Sequence, residues 1–313
     1  MPDRKSIIKT DGLLLLTAII WGSNFAAQRS GMSVIGPFAF SAARFALGAL
    51  VLIPLLILSK RRNAGPARPG IPARAAWAGL AGVVLFIASN LQQVGLVSTT
   101  AGNAGFITCL YVVLVPLFAF FAGKASGALI WAGALLAVAG LWILSIGAGF
   151  TMAPGDGLEL VGAFFWTLHI LLISRLASRM EALEIAVGQF AVCSILSTAA
   201  ALIWEPAPFR GLVPAAIPIL YGGLLSIGVA FTLQIVAQKT AHPAHASIIL
   251  SMEGLFAGIG GVVLLQEPLT LRLVVGGALM LTGMICSQLQ PRRSRAAAGL
   301  EPEPEALAEP TRP

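Results

Sequence analysis

The chain has 313 residues, 57% of them hydrophobic and 11% charged, with a formal net charge of +7. A soluble domain carries about 25% charged residues, so this composition, with a mean hydropathy of +0.88, excludes an ordinary soluble fold and indicates a membrane protein. The surplus of Lys and Arg then reads as a topology signal rather than a nucleic-acid surface, because no aromatic–basic RNA motif or zinc-finger spacing accompanies it.

A spanning helix needs about 20 mostly apolar residues. Ten segments qualify: roughly 12–29, 36–59, 75–97, 99–122, 127–147, 157–176, 183–204, 214–238, 243–266 and 270–289. The first follows Arg4, Lys5 and Lys9, as a signal peptide would. Its apolar stretch runs past signal-peptide length and ends in no small-x-small cleavage site, so it is read as retained. Thr17, Trp21, Asn24 and Gln28 share one face of it. The second contains "SAARFALGAL", where Arg44 is the only charge between Phe38 and Leu58. Arg44 lies roughly 10 Å below the outer end of this helix, at about 1.5 Å per residue. Its side chain can snorkel to the headgroups or cap helix-end carbonyls, so a structural or gating role is expected ahead of substrate contact.

Further stripes follow. The third span carries Phe86, Asn90 and Gln93 on one face. The fourth carries Thr100, Ala104, Thr108 and Tyr111, and the sixth Glu159, Gly162, Trp166 and His169. The eighth carries Phe231, Gln234 and Gln238, and the ninth Ser247, Ser251, Gly254 and Gly258. The fifth and tenth carry only paired glycines seven apart. Polar groups face hydrocarbon only at a cost, so six striped helices suggest a shared wet cavity, while interhelical glue is the competing explanation for any single small residue. Cys109, Cys193 and Cys286 all fall in apolar runs, which indicates neither a disulfide framework nor a metal cluster. The tail after Pro291, "RRSRAAAGLEPEPEALAEPTRP", is basic, then acidic and proline-rich, and is expected to be disordered.

Orientation follows from the basic residues. With the N-terminus in the cytoplasm, sixteen of the 20 Lys and Arg residues fall inside. Arg29, Arg210 and Arg272 fall in outside loops, and Arg44 within a span. This asymmetry supports ten spans with both termini cytoplasmic in a bacterial-type inner membrane. The halves also repeat. At an offset of 145, Trp21 matches Trp166, Phe45 matches Phe190, Phe86 matches Phe231 and Gln93 matches Gln238. At 143, Gly133 matches Gly276 and Gly140 matches Gly283. Arg44 is matched by the uncharged Gln189. Five helices per unit mean that the second unit starts from the opposite face, the inverted-topology repeat of secondary transporters. The organisation expected is an N-terminal tail 1–11, five-helix repeats 12–148 and 149–289, and a cytoplasmic tail 290–313.

"AIIWGSNFAAQ", "AARFALGALVL", "NAGFITCLYVVLVPLFAFF" and "SMEGLFAGIGGVVLLQEPLTLRLVVGGALMLTGM" resemble the two EamA-type repeats of the drug/metabolite transporter superfamily, over residues 12 to 289. The resemblance implies ten helices in two inverted repeats, a central cavity, no ATP-binding part, and export of amino acids or related compounds. The chain departs from the family pattern at Gly254, where Pro commonly follows the Glu, and at Gln266–Glu267 and Gly123–Lys124, where Gly-Glu is usual.

The expected function is secondary active transport of a small organic metabolite by alternating access, without a cofactor, a metal or nucleic acid. A channel, a membrane scaffold and an intramembrane enzyme are the alternatives. No HExxH, GxSxG or GxxxxGK[ST] motif favours the enzyme, and Glu253 reads as the only carboxylate deep in a span. The substrate-cavity residues expected are Trp21, Asn24, Asn90, Gln93, Tyr111, Trp166, His169, Gln234 and Glu253. Glu253 and His169 are the two groups that could bind a transported proton. Glu253 could instead pair with Arg44 if their helices meet. Oligomeric state is not read from the sequence.

Overall fold

The structure, a computed structural model, describes residues 4–62, 71–99, 101–121, 126–145, 153–264 and 270–289. Expectations that fall on Thr100, Gly123, Lys124, Gln266, Glu267 and the tail 290–313 lie outside the described residues. Those described are helical between short connections and form ten rods. These are α1 (Arg4–Met32), α2 (Pro37–Arg62), α3 (Ile71–Gly95), a broken rod of α4 (Ala101–Thr108) and α5 (Tyr111–Phe121), α6 (Ala128–Ser145), α7 (Asp156–Ala177) and α8 (Ala182–Trp204). A composite rod follows, of α9 (Ala216–Leu220), a π-helical segment (Tyr221–Phe231) and α10 (Thr232–Ala237). A second broken rod, α11 (Pro243–Leu250) and α12 (Glu253–Leu264), precedes α13 (Leu271–Gln288).

Six stretches are long and apolar enough to cross a membrane: Pro37–Lys60, Ala73–Gly95, Ala104–Phe121, Asp156–Ala177, Ala182–Trp204 and Ala216–Ala237. Ala128–Ile143, Pro243–Ile259 and Val274–Ser287 are shorter apolar helices. α1 begins at Arg4, well before residue 12, and its first turns are tied down. Thr10 Oγ1 and Thr240 Oγ1 share a hydrogen bond of 3.0 Å, and Asp11 Oδ1 lies 2.9 Å from His245 Nε2. Leu50, Leu55, Leu58, Leu202, Ile203 and Trp204 are all exposed, an apolar surface that suits a lipid solvent.

The helix starts are chemically marked. Pro37 opens α2, where a missing N–H costs nothing. The next free N–H groups, of Phe38 and Ala39, donate to the Glu205 carboxylate at 2.7 and 3.2 Å. Partial burial pushes that carboxyl above its ordinary range, while the two N–H bonds pull the other way. Pro243 opens α11 in the same manner, with His242 Nδ1 accepting from the Ala244 N–H at 3.3 Å.

Two broad helix pairs frame the molecule. In α2 against α8, Phe45 and Phe190 meet with ring centroids 6.0 Å apart, and Ser194 Oγ donates to the Ala42 carbonyl at 2.9 Å. The crossing of α6 and α13 depends on glycine. A Cβ on Gly133 would come within 2.6 Å of the Gly283 carbonyl oxygen, and one on Gly140 within 2.5 Å of that of Gly276. These are backbone atoms that cannot swing away, so the pair tolerates no side chain there. Small residues permit this close approach where no hydrophobic force drives helix pairing.

The broken rods tighten at their breaks. Leu110 N–H donates to the Ile107 carbonyl and Val112 N–H to that of Cys109, at 3.1 and 3.0 Å. In the second rod, Met252 N–H donates to Ile249 and Gly254 N–H to Ser251, both at 3.1 Å. These i to i−3 bonds overwind one turn and redirect the segment that follows. They also bring the first residues of α5 and α12 together: Tyr111 Oη donates to Glu253 Oε1 at 2.9 Å.

Candidate functional site

A central cavity lies between α1, α2, α3, the two broken rods, α7 and the composite rod. It encloses about 530 Å³ of empty space, counting what opens to solvent. Its polar lining comes from Asn24 and Gln28 of α1, Arg44 of α2, Gln92 of α3, Thr108 and Tyr111 of the first broken rod, Ser226 and Gln234 of the composite rod, and Glu253 of the second broken rod. Trp21, Trp166 and Phe231 form an aromatic wall. Trp21 and Phe231 lie with centroids 4.6 Å apart, and Trp166 stacks on Phe231 at 6.1 Å. The π-helical segment serves this wall: Trp21 Nε1 donates to the Ser226 carbonyl at 3.2 Å.

Arg44 is 4% exposed and lines this space. Its Nη1 donates to Gln28 Oε1 at 3.0 Å, and its guanidinium lies 5.5 and 5.2 Å from the ring centroids of Phe40 and Phe45. Its partners here are a side-chain amide and two aromatic rings. The expected alternative of a pair with Glu253 is not formed, because Glu253 accepts from Tyr111 and from Cys109 Sγ at 3.6 Å instead. Among the described residues no carboxylate forms an ion pair with Arg44. Asn24 Oδ1, Arg44 Nε and Gln234 Oε1 are buried, and the two oxygens accept no hydrogen bond from the protein and the Nε–H donates none to it. Buried polar atoms are normally satisfied, so these three are available to whatever occupies the cavity.

Of the residues singled out in the sequence, Trp21, Asn24, Tyr111, Trp166, Gln234 and Glu253 come together here, and Arg44 joins them. Asn90, Gln93 and His169 do not line the cavity. Asn90 Nδ2 donates to Ser197 Oγ at 2.9 Å, tying α3 to α8, and Gln93 turns its amide to the Met32 sulfur. His169 sits behind the aromatic wall, edge-on to Trp166 and Phe231, with Nε2 2.9 Å from Gln189 Oε1. A polar stripe shows that a helix face is covered by protein, without telling a cavity from a neighbouring helix. Gln28 and Thr108 belong to stripes already recognised. Gln92 stands one residue off the third-helix face, and Ser226 carried no signal. Glu253 is also not alone. Glu159, already part of the stripe on the sixth span, is 0% and Asp156 1% exposed; standing in the first turn of their helix, neither read as deep in a span.

A many-spanning helical protein whose rods converge on a polar, aromatic-walled cavity has the layout of a small-molecule carrier. The comparisons with known proteins agree. The model of the EamA-like transporter family matches twice, over residues 8–146 and 153–288, and the chain belongs to that family. An uncharacterised transporter of Archaeoglobus fulgidus is 32% identical over 88% of this chain and 85% of its own. An uncharacterised protein of Pseudomonas aeruginosa is 31% identical over 95% and 99%. An uncharacterised inner membrane transporter of Escherichia coli K12 is 23% identical over 89% and 92%. A solved crystal structure, 23% identical, shares the fold with a TM-score of 0.74 over 90% of this chain and 98% of that one. The protein is therefore an integral membrane protein of the drug/metabolite transporter type, built for membrane transport of small molecules.

Proposed function

We propose that the protein is a secondary active exporter of an amino acid or related small organic anion, working by alternating access in the inner membrane with both termini cytoplasmic. The observation that carries this reading is Arg44: a buried guanidinium, unpaired with any described carboxylate, on the wall of a cavity whose other charged group is Glu253. Arg44 takes the substrate's carboxylate, in the planar two-point manner that guanidinium favours. Glu253 and Tyr111 take its cationic or hydrogen-bonding end, and Trp21, Trp166 and Phe231 hold the apolar body. Of the two residues considered for proton coupling, Glu253 faces the substrate and His169 is sealed behind the wall, so Glu253 competes with substrate for a proton.

The reading includes two inverted repeats, 12–148 and 149–289. Three observations support it. The chain breaks at Cys109–Leu110 and at Ser251–Met252, which match to within one residue at the offset of 143. The Gly133–Gly283 and Gly140–Gly276 approaches are each other's mirror under the same offset. Phe45 packs on its own repeat mate, Phe190. A pseudo-two-fold axis in the membrane plane produces such exchanges, and rocking about it opens the cavity to each side in turn.

Counterflow in proteoliposomes tests the function. Vesicles preloaded with an unlabelled amino acid should accumulate the labelled one transiently and saturably, for at least one member of a panel. Flux that rises linearly with concentration, without counterflow, would identify a channel. Cysteine labelling at residues 30–36 and 239–242 tests the orientation, the first set reacting from outside and the second from the cytoplasm.

A further inference from the structure

The cavity does not use Glu159, the most completely buried carboxylate among the described residues. It stands in the first turn of α7, one turn after Asp156. The two acids differ in their surroundings. Both Asp156 oxygens are satisfied: Oδ1 accepts from Thr99 Oγ1 at 2.5 Å and Oδ2 from the Ala153 N–H at 2.7 Å. Glu159 Oε2 accepts from Thr108 Oγ1 at 3.1 Å, while Oε1 is buried with no partner. The wall beside Oε1 is backbone. A Cβ on Gly95 would come within 2.9 Å of Oε1 and 3.0 Å of the Gly155 carbonyl oxygen, so α3 and the start of α7 close on this carboxylate with backbone.

Thr108 gives this arrangement its second meaning. It is the last residue of α4 and lines the cavity. The next residues of the same rod, Cys109 and Tyr111, hold Glu253. The break between α4 and α5 is thus gripped by two buried carboxylates, Glu159 through Thr108 on one side and Glu253 on the other. The groups facing Glu159 are Asp156 on its own helix, Gly95 of α3 and Thr108 of α4. Cys109 and Tyr111 turn to Glu253. Among the described residues no Lys or Arg forms an ion pair with either acid, and an uncompensated carboxylate inside a membrane protein is strongly disfavoured.

We infer that Glu159 is a proton-binding site, separate from the substrate cavity and linked to it through Thr108 and the α4–α5 break. The inference rests on the carrier reading above. The step is a simple protonation: a proton from water at the end where α7 begins binds Oε1 and turns the carboxylate into a carboxylic acid. Oε1 then carries a neutral O–H, and the negative charge pressing on the break is gone. Release recharges Glu159 and restores the strain between it and Asp156. The break therefore senses the proton at one edge and Glu253, with any bound substrate, at the other.

Infrared difference titration of the purified full-length protein in nanodiscs, in potassium chloride, reads this without any substrate. The wild type should show protonated-carboxyl absorption that disappears as pH rises. Glu159→Gln should lose one component of it, Asp156→Asn should retain that component, and Thr108→Val, lacking the donor to Oε2, should shift its midpoint upward. An unchanged titration in Glu159→Gln would overturn the inference. Loss of the component on replacing potassium by sodium at constant pH would overturn it too, in favour of a sodium site. If Glu159→Gln does not fold, Glu159→Asp serves: a moved midpoint supports the site, and a titration identical to wild type refutes it. Counterflow stands apart from this measurement, so an absent carboxyl signal with intact counterflow would remove the proton site and leave the carrier.

Discussion

Asn24, Gln28 and Arg44 are matched, at the offset of 145, by His169, Ile173 and Gln189. The two trios occupy corresponding positions on α1 and α2 and on α7 and α8, and they behave differently. In the first, Arg44 leans on Gln28, and Arg44 Nε and Asn24 Oδ1 stay unsatisfied at the cavity wall. In the second, His169 Nε2 and Gln189 Oε1 pair with each other, His169 Nδ1 and Gln189 Nε2 stay without a partner, Ile173 is fully buried, and none of the three touches the cavity. One trio faces the cavity and the other is buried between helices. A duplicated scaffold needs only one of its two equivalent corners for chemistry, and the other can be spent on packing. The cavity is polar and electropositive at one corner for this reason, although the backbone around it repeats.

The sharpest way to break the comparison is to exchange the corners. Gln189→Arg places a guanidinium where there is no cavity and no acid. It should destabilise the protein by about 3–5 kcal/mol, the cost of an uncompensated buried charge, seen as a large fall in thermal melting temperature in detergent. Arg44→Gln, the reverse change, should leave a folded protein whose affinity for a counterflow substrate falls roughly 10- to 100-fold, the loss of a charged hydrogen-bond pair. A wild-type substrate affinity in that variant would remove Arg44 from the binding site. Gln28→Ile copies the second trio into the first and strips Arg44 of its acceptor. It should lower stability by about 1–3 kcal/mol and broaden substrate choice, measured as melting temperature and as competition in counterflow. The smallest effect belongs to His169→Asn, which forfeits one neutral hydrogen bond worth about 1 kcal/mol and should leave substrate affinity unchanged.

Much of the architecture is written in the chain. The apolar runs announced the helices, because these depend on water avoidance along the chain alone, whereas the glycine pairs of the fifth and tenth spans were visible without showing that they meet. The breaks were not announced. Neither Cys109–Leu110 nor Ser251–Met252 contains Gly or Pro, and the overwound turns are settled by tertiary partners such as Tyr111 and Glu253. The π-helical segment Tyr221–Phe231 is likewise invisible, since its sequence is an ordinary apolar run. At the site, the α1 face was legible because four polar or aromatic residues recur at helical spacing. Asn90 and Gln93 show the same spacing and meet neighbouring helices instead. Arg44 stood out as an anomaly, but its direction depends on how α2 rotates against α8, which no local pattern encodes.

The placement of the aromatic wall has an optical consequence. Trp77, Trp142 and Trp204 are about half or more exposed on the outer surface, while Trp21 and Trp166 line the cavity. Brominated lipid tails quench indoles that they touch. In such lipids the three outer indoles should go dark, leaving emission dominated by the inner pair and by Trp131. Trp21 and Trp166 are repeat mates facing one space, so a ligand arriving between them should shift that residual emission without any attached dye. The unlabelled protein thereby carries a spectroscopic reporter inside its own cavity.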